Sequence, residues 1–407
     1  MKLGIFSDTH LGFDSRGERA DESFDNLKQA LEICVNEGAD AVLLAGDVFD
    51  APVPSHDSLY RAMNAFSAAR RGQCGVKAFY EKGVENRELS FSSLPILAIH
   101  GNHEYIGKDT RTALDVLSVS GSLFYFHAGK VTLQKGSEKA AVFGLGAVPE
   151  KKALEVLRLW APKPEAGCSN VLMTHQGFKE FMAVDDEMVA TLSLDDLPKG
   201  FDLFVNGHLH WQQRHSIADG TFLLPGSTIA TSIKKIEADQ RKGVHFFDTA
   251  SKEISFVPFA RQRRAFYHKI EFREAEPKDV IAACRAEISA DLAHAHDLKP
   301  LIRLNLKGTL KKGLSASDVN IAEIAAEFSP RAILSISRNF SSVSFRARIS
   351  ELREMQRSKL SVAAMGIELL ERNLKETDFG EGIPAKGLFD LLADDELDKA
   401  FVFIRGR

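Results

Sequence analysis

Cysteine is scarce in this chain and scattered. Cys34, Cys74, Cys168 and Cys284 are the only four, and none stands in a C-x-x-C pair. That spacing argues against a disulfide framework or a thiolate metal cage and fits a reducing compartment. No apolar run approaches the roughly 20 residues that a membrane-spanning helix needs, so no membrane partner is expected. The start, Met1-Lys2-Leu3-Gly4-Ile5-Phe6, enters a strand pattern without a cationic stretch followed by a long apolar one. No secretory leader is expected from it, and the setting it suggests is cytoplasmic. A surplus of one charge is missing as well. The formal net charge is −4 over 407 residues, which gives no support to wholesale electrostatic capture of nucleic acid but leaves room for a local basic groove. Internal repeats and low-complexity segments are absent too. What remains is an ordinary globular composition, 44% hydrophobic and 27% charged, long enough for two or three domains.

Short apolar runs alternate with helical patterns up to about residue 260. The runs at 3–7, 41–45, 96–100, 141–146, 171–174, 203–206, 221–224, 244–248 and 254–259 are bounded by Gly, Asp, Asn or Pro and read as buried strands. Phe24, Leu27, Leu31 and Val35 recur at helical spacing, with Gly38 as the stop. The strands after residue 200 follow one another closely and are expected to be antiparallel. Residues 68–95 read as a polar insertion. The fold class is α/β, with sheets layered inside helices. Beyond Arg261-Gln262-Arg263-Arg264 the pattern changes to strand 266–272, helix 277–293 and strand 301–307. Short apolar runs at 333–336 and 342–345 complete a small α+β domain near residue 346. A helical stretch follows, carrying Ile349, Leu352, Met355, Val362, Met365, Leu369 and Leu370. It is broken at Gly380-Glu381-Gly382-Ile383-Pro384 and followed by a short acidic helix. The domains are therefore read as 1–260, 261–346 and 347–407.

Five of the strand patterns stop on residues that bind metals. The candidates are Asp8, His10, Asp47, Asn102, His175, His208 and His210: two carboxylates, one amide oxygen and four imidazoles. Imidazole with carboxylate suits borderline divalent ions such as Mn, Fe and Zn. One ion cannot use seven protein ligands, whereas two ions sharing a carboxylate can, and a two-metal site is built for hydrolysis of a phosphate ester. Each residue, taken alone, has a plain alternative as a turn residue or a satisfied polar group. His100 reads as structural. His56, His127, His215, His245, His268, His294 and His296 have no motif around them.

The same residues carry a resemblance. Asp8-Thr9-His10, Gly46-Asp47-Val48-Phe49-Asp50, Gly101-Asn102-His103-Glu104, Thr174-His175 and Gly207-His208-Leu209-His210 resemble, in order, the five motifs of the calcineurin-like metallophosphoesterases. The resemblance implies a β-sandwich flanked by helices over residues 1–260. It implies that Asp8, His10 and His210 hold one metal, that Asn102, His175 and His208 hold a second, and that Asp47 bridges them. His103 would be a general acid rather than a ligand, with Glu104 orienting it. Two Mn²⁺ per chain are the expected cofactors, with Fe, Zn and Mg as alternatives.

Asp50 is followed by Ala51-Pro52 rather than the Arg-Gly of the Ser/Thr protein phosphatases. The extensions Asp8-Thr9-His10-Leu11-Gly12 and Gly46-Asp47-Val48-Phe49-Asp50, with Pro54-Ser55 after, are similar to the DNA-repair nucleases of the SbcD / Mre-eleven type. That likeness implies a Mn-dependent 3'-5' double-strand exonuclease and single-strand endonuclease in double-strand-break repair, working at the nucleoid. It further implies that 261–346 is a capping domain and that the tail binds an SMC-like coiled-coil ATPase of the SbcC / Rad-fifty type. Lys234, Lys235, Arg241 and Lys242 are the favoured DNA-phosphate contacts, with Arg70-Arg71 and Arg261, Arg263 and Arg264 as further clusters. A homodimer is expected, through stripes of Leu59, Met63 and Phe66 and of Leu114 and Leu117, for which a core face is the plain alternative. Two other functions fit the same motifs: a phosphodiesterase for a nucleotide or other small ester, and a metal-binding scaffold without catalysis.

Overall fold

A computed structural model describes residues 1–105, 110–182, 192–217, 219–238, 240–294, 298–340, 383–393 and 396–405, with single positions between 366 and 374. The strands in chain order are β1 (Lys2–Phe6), β2 (Ala41–Ala45), β3 (Lys77–Lys82), β4 (Glu85–Leu89), β5 (Ile96–Ile99), β6 (Phe124–Tyr125), β7 (Gly129–Lys135), β8 (Glu138–Leu145) and β9 (Ser169–Thr174). They continue as β10 (Leu203–Asn206), β11 (Gln213–Ile217), β12 (Gly220–Leu224), β13 (Gly243–Asp248), β14 (Ile254–Pro258), β15 (Ala265–Ala275), β16 (Leu301–Leu310) and β17 (Ile333–Phe340). The helices are α1 (Glu22–Asn36), α2 (His56–Phe66), α3 (Ala113–Val119), α4 (Glu150–Trp160), α5 (Lys235–Ala238), α6 (Pro277–Ala293), α7 (Ile321–Phe328), α8 (Ala385–Ala393) and α9 (Leu397–Arg405).

Two large sheets face each other. One runs β14-β13-β1-β2-β5-β6 and the other β11-β12-β10-β9-β8-β7-β3-β4. Alternation along each strand sorts side chains into layers, because successive residues point to opposite faces. Leu3, Ile5, Ala41, Leu43 and Ala45 join Val171, Met173, Leu203 and Val205 in the core between the sheets. Their sequence neighbours Phe6, Val42 and Leu44 pack instead under α1, α2 and α3 with Leu27, Leu31, Ala62 and Leu114. On the outer face of the second sheet, Leu172 and Phe204 meet Ala153 and Leu157 of α4. The order is thus helix, sheet, sheet, helix, as the β-sandwich reading expects. Truncating an inter-sheet residue such as the fully buried Leu43 to Ala costs about 2–5 kcal/mol.

Three expectations are corrected. Residues 68–95 are not a plain insertion: they hold the β3–β4 hairpin, which pairs through β3 with β7 and closes one edge of the second sheet. The late strands are mixed rather than antiparallel. β10 lies parallel to both β9 and β12, since the chain goes out to the edge strand β11 and returns as β12 between them. Phe66, Leu114 and Leu117 are buried in the core and present nothing to a second subunit; Met63, Tyr60, Val116 and Val119 are the apolar residues that α2 and α3 expose.

By compactness the described chain forms two units. The first comprises Met1–His268, Ser289–Arg303 and Phe328–Ser335, the second Lys269–Ile288, Leu304–Glu327 and Ile336–Arg407. A third sheet has the order β15-β16-β17. The expected run at 342–345 and nearly all of the helical stretch at 349–374 lie outside the described residues. The four cysteines are free thiols, and among the described residues no helix is long and apolar enough to cross a membrane.

Candidate metal centre

The parallel strands β1, β2 and β5 of one sheet and β9 and β10 of the other all release their chains toward one place, beyond their carboxyl ends. This is where an open α/β sheet binds ligands. β1 leads to Asp8 and His10, β2 to Asp47, β5 to Asn102 and His103, β9 to His175, and β10 to His208 and His210. Turning that sharply has a cost. Asp8, His10, Asp47 and His208 have φ of 53°, 43°, 48° and 76°, a left-handed conformation that disfavours L-residues by roughly 1–2 kcal/mol each. Such strain is held where a site requires it.

Crowding around His175 explains two of the glycines in the motifs. A Cβ on Gly46 (φ +90°) would lie 2.3 Å from His175 Nδ1, and one on Gly207 would lie 2.1 Å from the Ala45 carbonyl and 2.6 Å from the same ring nitrogen. With both free of side chains, His175 Nδ1 donates to the Ala45 carbonyl at 2.8 Å. Its Nε2 then faces Asp47 Oδ2 at 3.2 Å and Asn102 Oδ1 at 3.2 Å. His208 Nδ1 approaches the same Asn102 oxygen at 3.0 Å.

On the other side, His10 Nε2 and His210 Nε2 point at each other, 3.2 Å apart. His210 Nε2 is 3.9 Å from Asp8 Oδ1, an oxygen that also accepts the His208 backbone N–H at 3.0 Å. The second oxygen of Asp8, Oδ2, is buried with no hydrogen-bond partner among the described residues. A bare buried carboxylate oxygen is expensive unless a cation meets it. Donor atoms of Asp8, His10 and His210 lie within 4.8 Å of one another, as do those of Asp8, Asp47 and His175. All seven expected residues are therefore brought together, and the donor set of carboxylate, amide oxygen and imidazole fits divalent cations.

Burial and neighbouring charge set the protonation of these groups. Burial pushes the Asp8 carboxyl up, while Asp47 is held below the usual carboxylate range because His175 and His10 outweigh its burial. Burial, aided by the charge of His175, lowers His208 to about 4. Burial likewise keeps His210 well below the usual imidazole range, with His10 and Lys242 adding to it. His208 and His210 are thus held neutral, the state in which a ring nitrogen can bind a metal, whereas burial at His175 is outweighed by Asp47 and Asp8, which raise it to about 10.

His103 sits at the rim, with Nε2 4.0 Å from Asp47 Oδ2 and a side chain 36% exposed. Its ring is fixed by Nδ1–H donation to the Asp50 carbonyl at 2.7 Å. This corrects the part expected of Glu104, whose fully buried carboxylate instead accepts the backbone N–H groups of Phe49 and Gly101, each at 2.7 Å. Glu104 ties the β2 loop to the β5 loop. The sequence reading also gave no role to the Asp50 side chain, which meets His10 Nδ1 at 3.1 Å. Asp50 stands inside the second motif, and that position was the available signal. Thr231 Oγ1, 3.0 Å from His210 Nδ1, lies in no motif and was missed.

The basic candidates divide. Lys234, Lys235 and Arg241 are exposed, and the Lys234 ammonium stands 5.5 Å over the ring of Trp211, the residue after His210. Lys242 is corrected: it is buried and its ammonium is spent on Glu237, Ser227 and the His210 carbonyl, so it offers nothing to a phosphate. Arg263 is similarly committed to Glu22 at 2.8 Å.

Comparison with known proteins agrees with this geometry. The Calcineurin-like phosphoesterase family model matches residues 1–212. A double-strand break repair protein MRE11 from Coprinopsis cinerea is 28% identical over 305 residues, covering 63% of this chain and 41% of that protein. The mouse MRE11 protein is 27% identical over 311 residues, covering 66% and 42%. The MRE11 protein of Arabidopsis thaliana is 27% identical over 373 residues, covering 79% and 49%. The chain thus spans less than half the length of these relatives. With just over half of its own 407 residues matched by the family model, and the donor residues gathered at the strand ends, this chain belongs to the calcineurin-like phosphoesterase family.

Proposed function

We propose that this chain is a divalent-metal-dependent DNA nuclease of double-strand-break repair, Mn²⁺ being the preferred ion and two ions being held per chain. The observation that carries the metal assignment is the convergence of seven donor residues at the strand ends, among them Asp8, whose Oδ2 is buried with no hydrogen-bond partner among the described residues. The likeness of the chain to MRE11 proteins supports the DNA assignment. Asp8, His10 and His210 would hold one ion, Asn102, His175 and His208 the other, with Asp47 shared between them. When bound, such ions neutralise the phosphodiester and acidify the attacking water.

The chain supplies the rest. Asp50, through its carboxylate and its carbonyl, orients His10 and His103 together. With Nδ1–H given to that carbonyl, the His103 Nε2 is the nitrogen left to face the centre. In the imidazolium form its proton would pass to the leaving oxygen as the P–O bond breaks, the part of a general acid. Lys234, Lys235 and Arg241 would hold backbone phosphates without reading bases, which makes binding salt-dependent and indifferent to sequence.

In this reading residues 1–260 form the nuclease domain, 261–346 a DNA-binding cap and 347–407 the partner-binding region. Exposure of Phe401, Val402 and Ile404 on α9 supports an apolar docking surface for an SMC-like coiled-coil ATPase. The exposed Tyr60, Met63, Val116 and Val119 support a homodimer contact on α2 and α3, and the place of work is the nucleoid. Incubating the full chain with end-labelled linear duplex and Mn²⁺, with and without chelator, tests the proposal. Metal-dependent shortening from the 3' ends is expected, together with nicking of single strands. Turnover of a small diester with no DNA binding would contradict the reading.

A further inference from the structure

Lys242 and Glu237 form an ion pair at 2.6 Å with both residues buried. Replacing such a pair by apolar groups is often neutral or stabilising, so stability alone does not explain its presence. Here Glu237 Oε2 is also buried with no hydrogen-bond partner among the described residues. What the pair accomplishes lies at the ammonium. Lys242 has three N–H bonds and uses all of them: one for Glu237, one for Ser227 Oγ at 2.9 Å and one for the His210 carbonyl at 2.9 Å. The same carbonyl accepts the Ser227 N–H at 3.1 Å. The backbone of His210 is thereby clamped from two directions.

The ring of His210 has its own partner in Thr231 Oγ1, 3.0 Å from Nδ1. For Nε2 to offer a lone pair toward Asp8 and His10, the ring proton must sit on Nδ1, where the Thr231 hydroxyl oxygen is placed to accept it. The other rings of the centre have their Nδ1 partners within the motifs or the strands that carry them: His175 on the Ala45 carbonyl, His10 on the Asp50 carboxylate and His208 on the Asn102 oxygen. His210 lies two residues further from its strand than His208, and its Nδ1 partner, Thr231, comes from outside the motifs.

We infer that Lys242 with Glu237, and Thr231, are positioning residues for His210: Lys242 holds its main chain and Thr231 its tautomer, so that Nε2 meets the cation shared with Asp8 and His10. The inference rests on the two-cation reading of the site. Titration calorimetry of Mn²⁺ into the full chain, alongside melting in chelator, tests it. Thr231→Val should weaken one of the two Mn²⁺ sites about 10–100-fold, leave the other site and the chelated melting temperature in place, and be rescued by Thr231→Ser. Because Lys242→Met alone strands a buried carboxylate, the paired change K242M/E237Q is the variant to use. It removes both charges, should fold, and should weaken the same site. Wild-type affinity at both sites in T231V and in K242M/E237Q overturns the inference. A wild-type chain that binds no Mn²⁺ overturns the two-cation reading and the inference with it.

Discussion

His175 Nε2 stands 3.2 Å from Asp47 Oδ2, and these two residues come from different sheets of the sandwich. Asp47 ends β2 and His175 ends β9, so the pair joins the two sheets at the centre of the site. Asp47 is also the carboxylate that His103 Nε2 approaches, at 4.0 Å, and its donor atom lies within 4.8 Å of those of Asp8 and His175.

His103→Ala should leave metal binding intact and reduce DNA cleavage about 10²–10⁴-fold, the usual range for loss of a general acid. Metal analysis of the purified variant together with its cleavage rate checks this. Equal cleavage by variant and wild type would remove His103 from the reaction.

Glu104→Gln should cost about 1–3 kcal/mol in urea unfolding. The amide can accept only one of the Phe49 and Gly101 N–H groups and sets a donor against the other. A variant as stable as the parent would mean that the two loops are joined by other contacts.

The reach of the sequence differs between these residues for a physical reason. The strands β1, β2, β5, β9 and β10 were legible because buried parallel strands are nearly continuous apolar runs, and the candidate ligands were legible because they stop those runs. β4 and β11 were not, because Glu85–Leu89 and Gln213–Ile217 are edge strands whose side chains are largely exposed. The link from Glu104 to Phe49 spans 55 residues and is set by how the two loops meet, which no local pattern encodes. Lys242 misled for the opposite reason: in sequence it belongs to a basic cluster, and only the fold brings Glu237, Ser227 and the His210 carbonyl around its buried ammonium.

His245 on β13 gives the fold an acid sensitivity. Burial, with the charge of Arg214 adding to it, lowers His245 to about 4, against about 6.5 in an unfolded chain. As pH falls below 6.5 the unfolded state binds the proton first, so stability is lost between pH 6.5 and 4. This residue should account for about 2 kcal/mol of the loss between pH 7.5 and 5. Urea denaturation at the two pH values should show a smaller difference for His245→Phe, and an unchanged difference would exclude this origin.

Lys234→Ala and Lys235→Ala should each weaken DNA binding uniformly across sequences and lower the slope of log affinity against log salt by about 1. Lys234 stands beside Trp211 and is expected to have the larger effect. Fluorescence titrations at several salt concentrations measure both quantities. A change confined to one DNA sequence would mean that these lysines read bases.

The central claim is that two divalent cations, held by seven residues and shared through Asp47, cleave DNA. It is tested most directly by titrating metal-free chain with Mn²⁺ while following bound ion and linear-duplex cleavage in one experiment. The account predicts that cleavage rises with the second equivalent, and that Asp47→Ala loses high-affinity binding and cleavage together. Full cleavage at one equivalent or less, or in the Asp47→Ala variant, would contradict it.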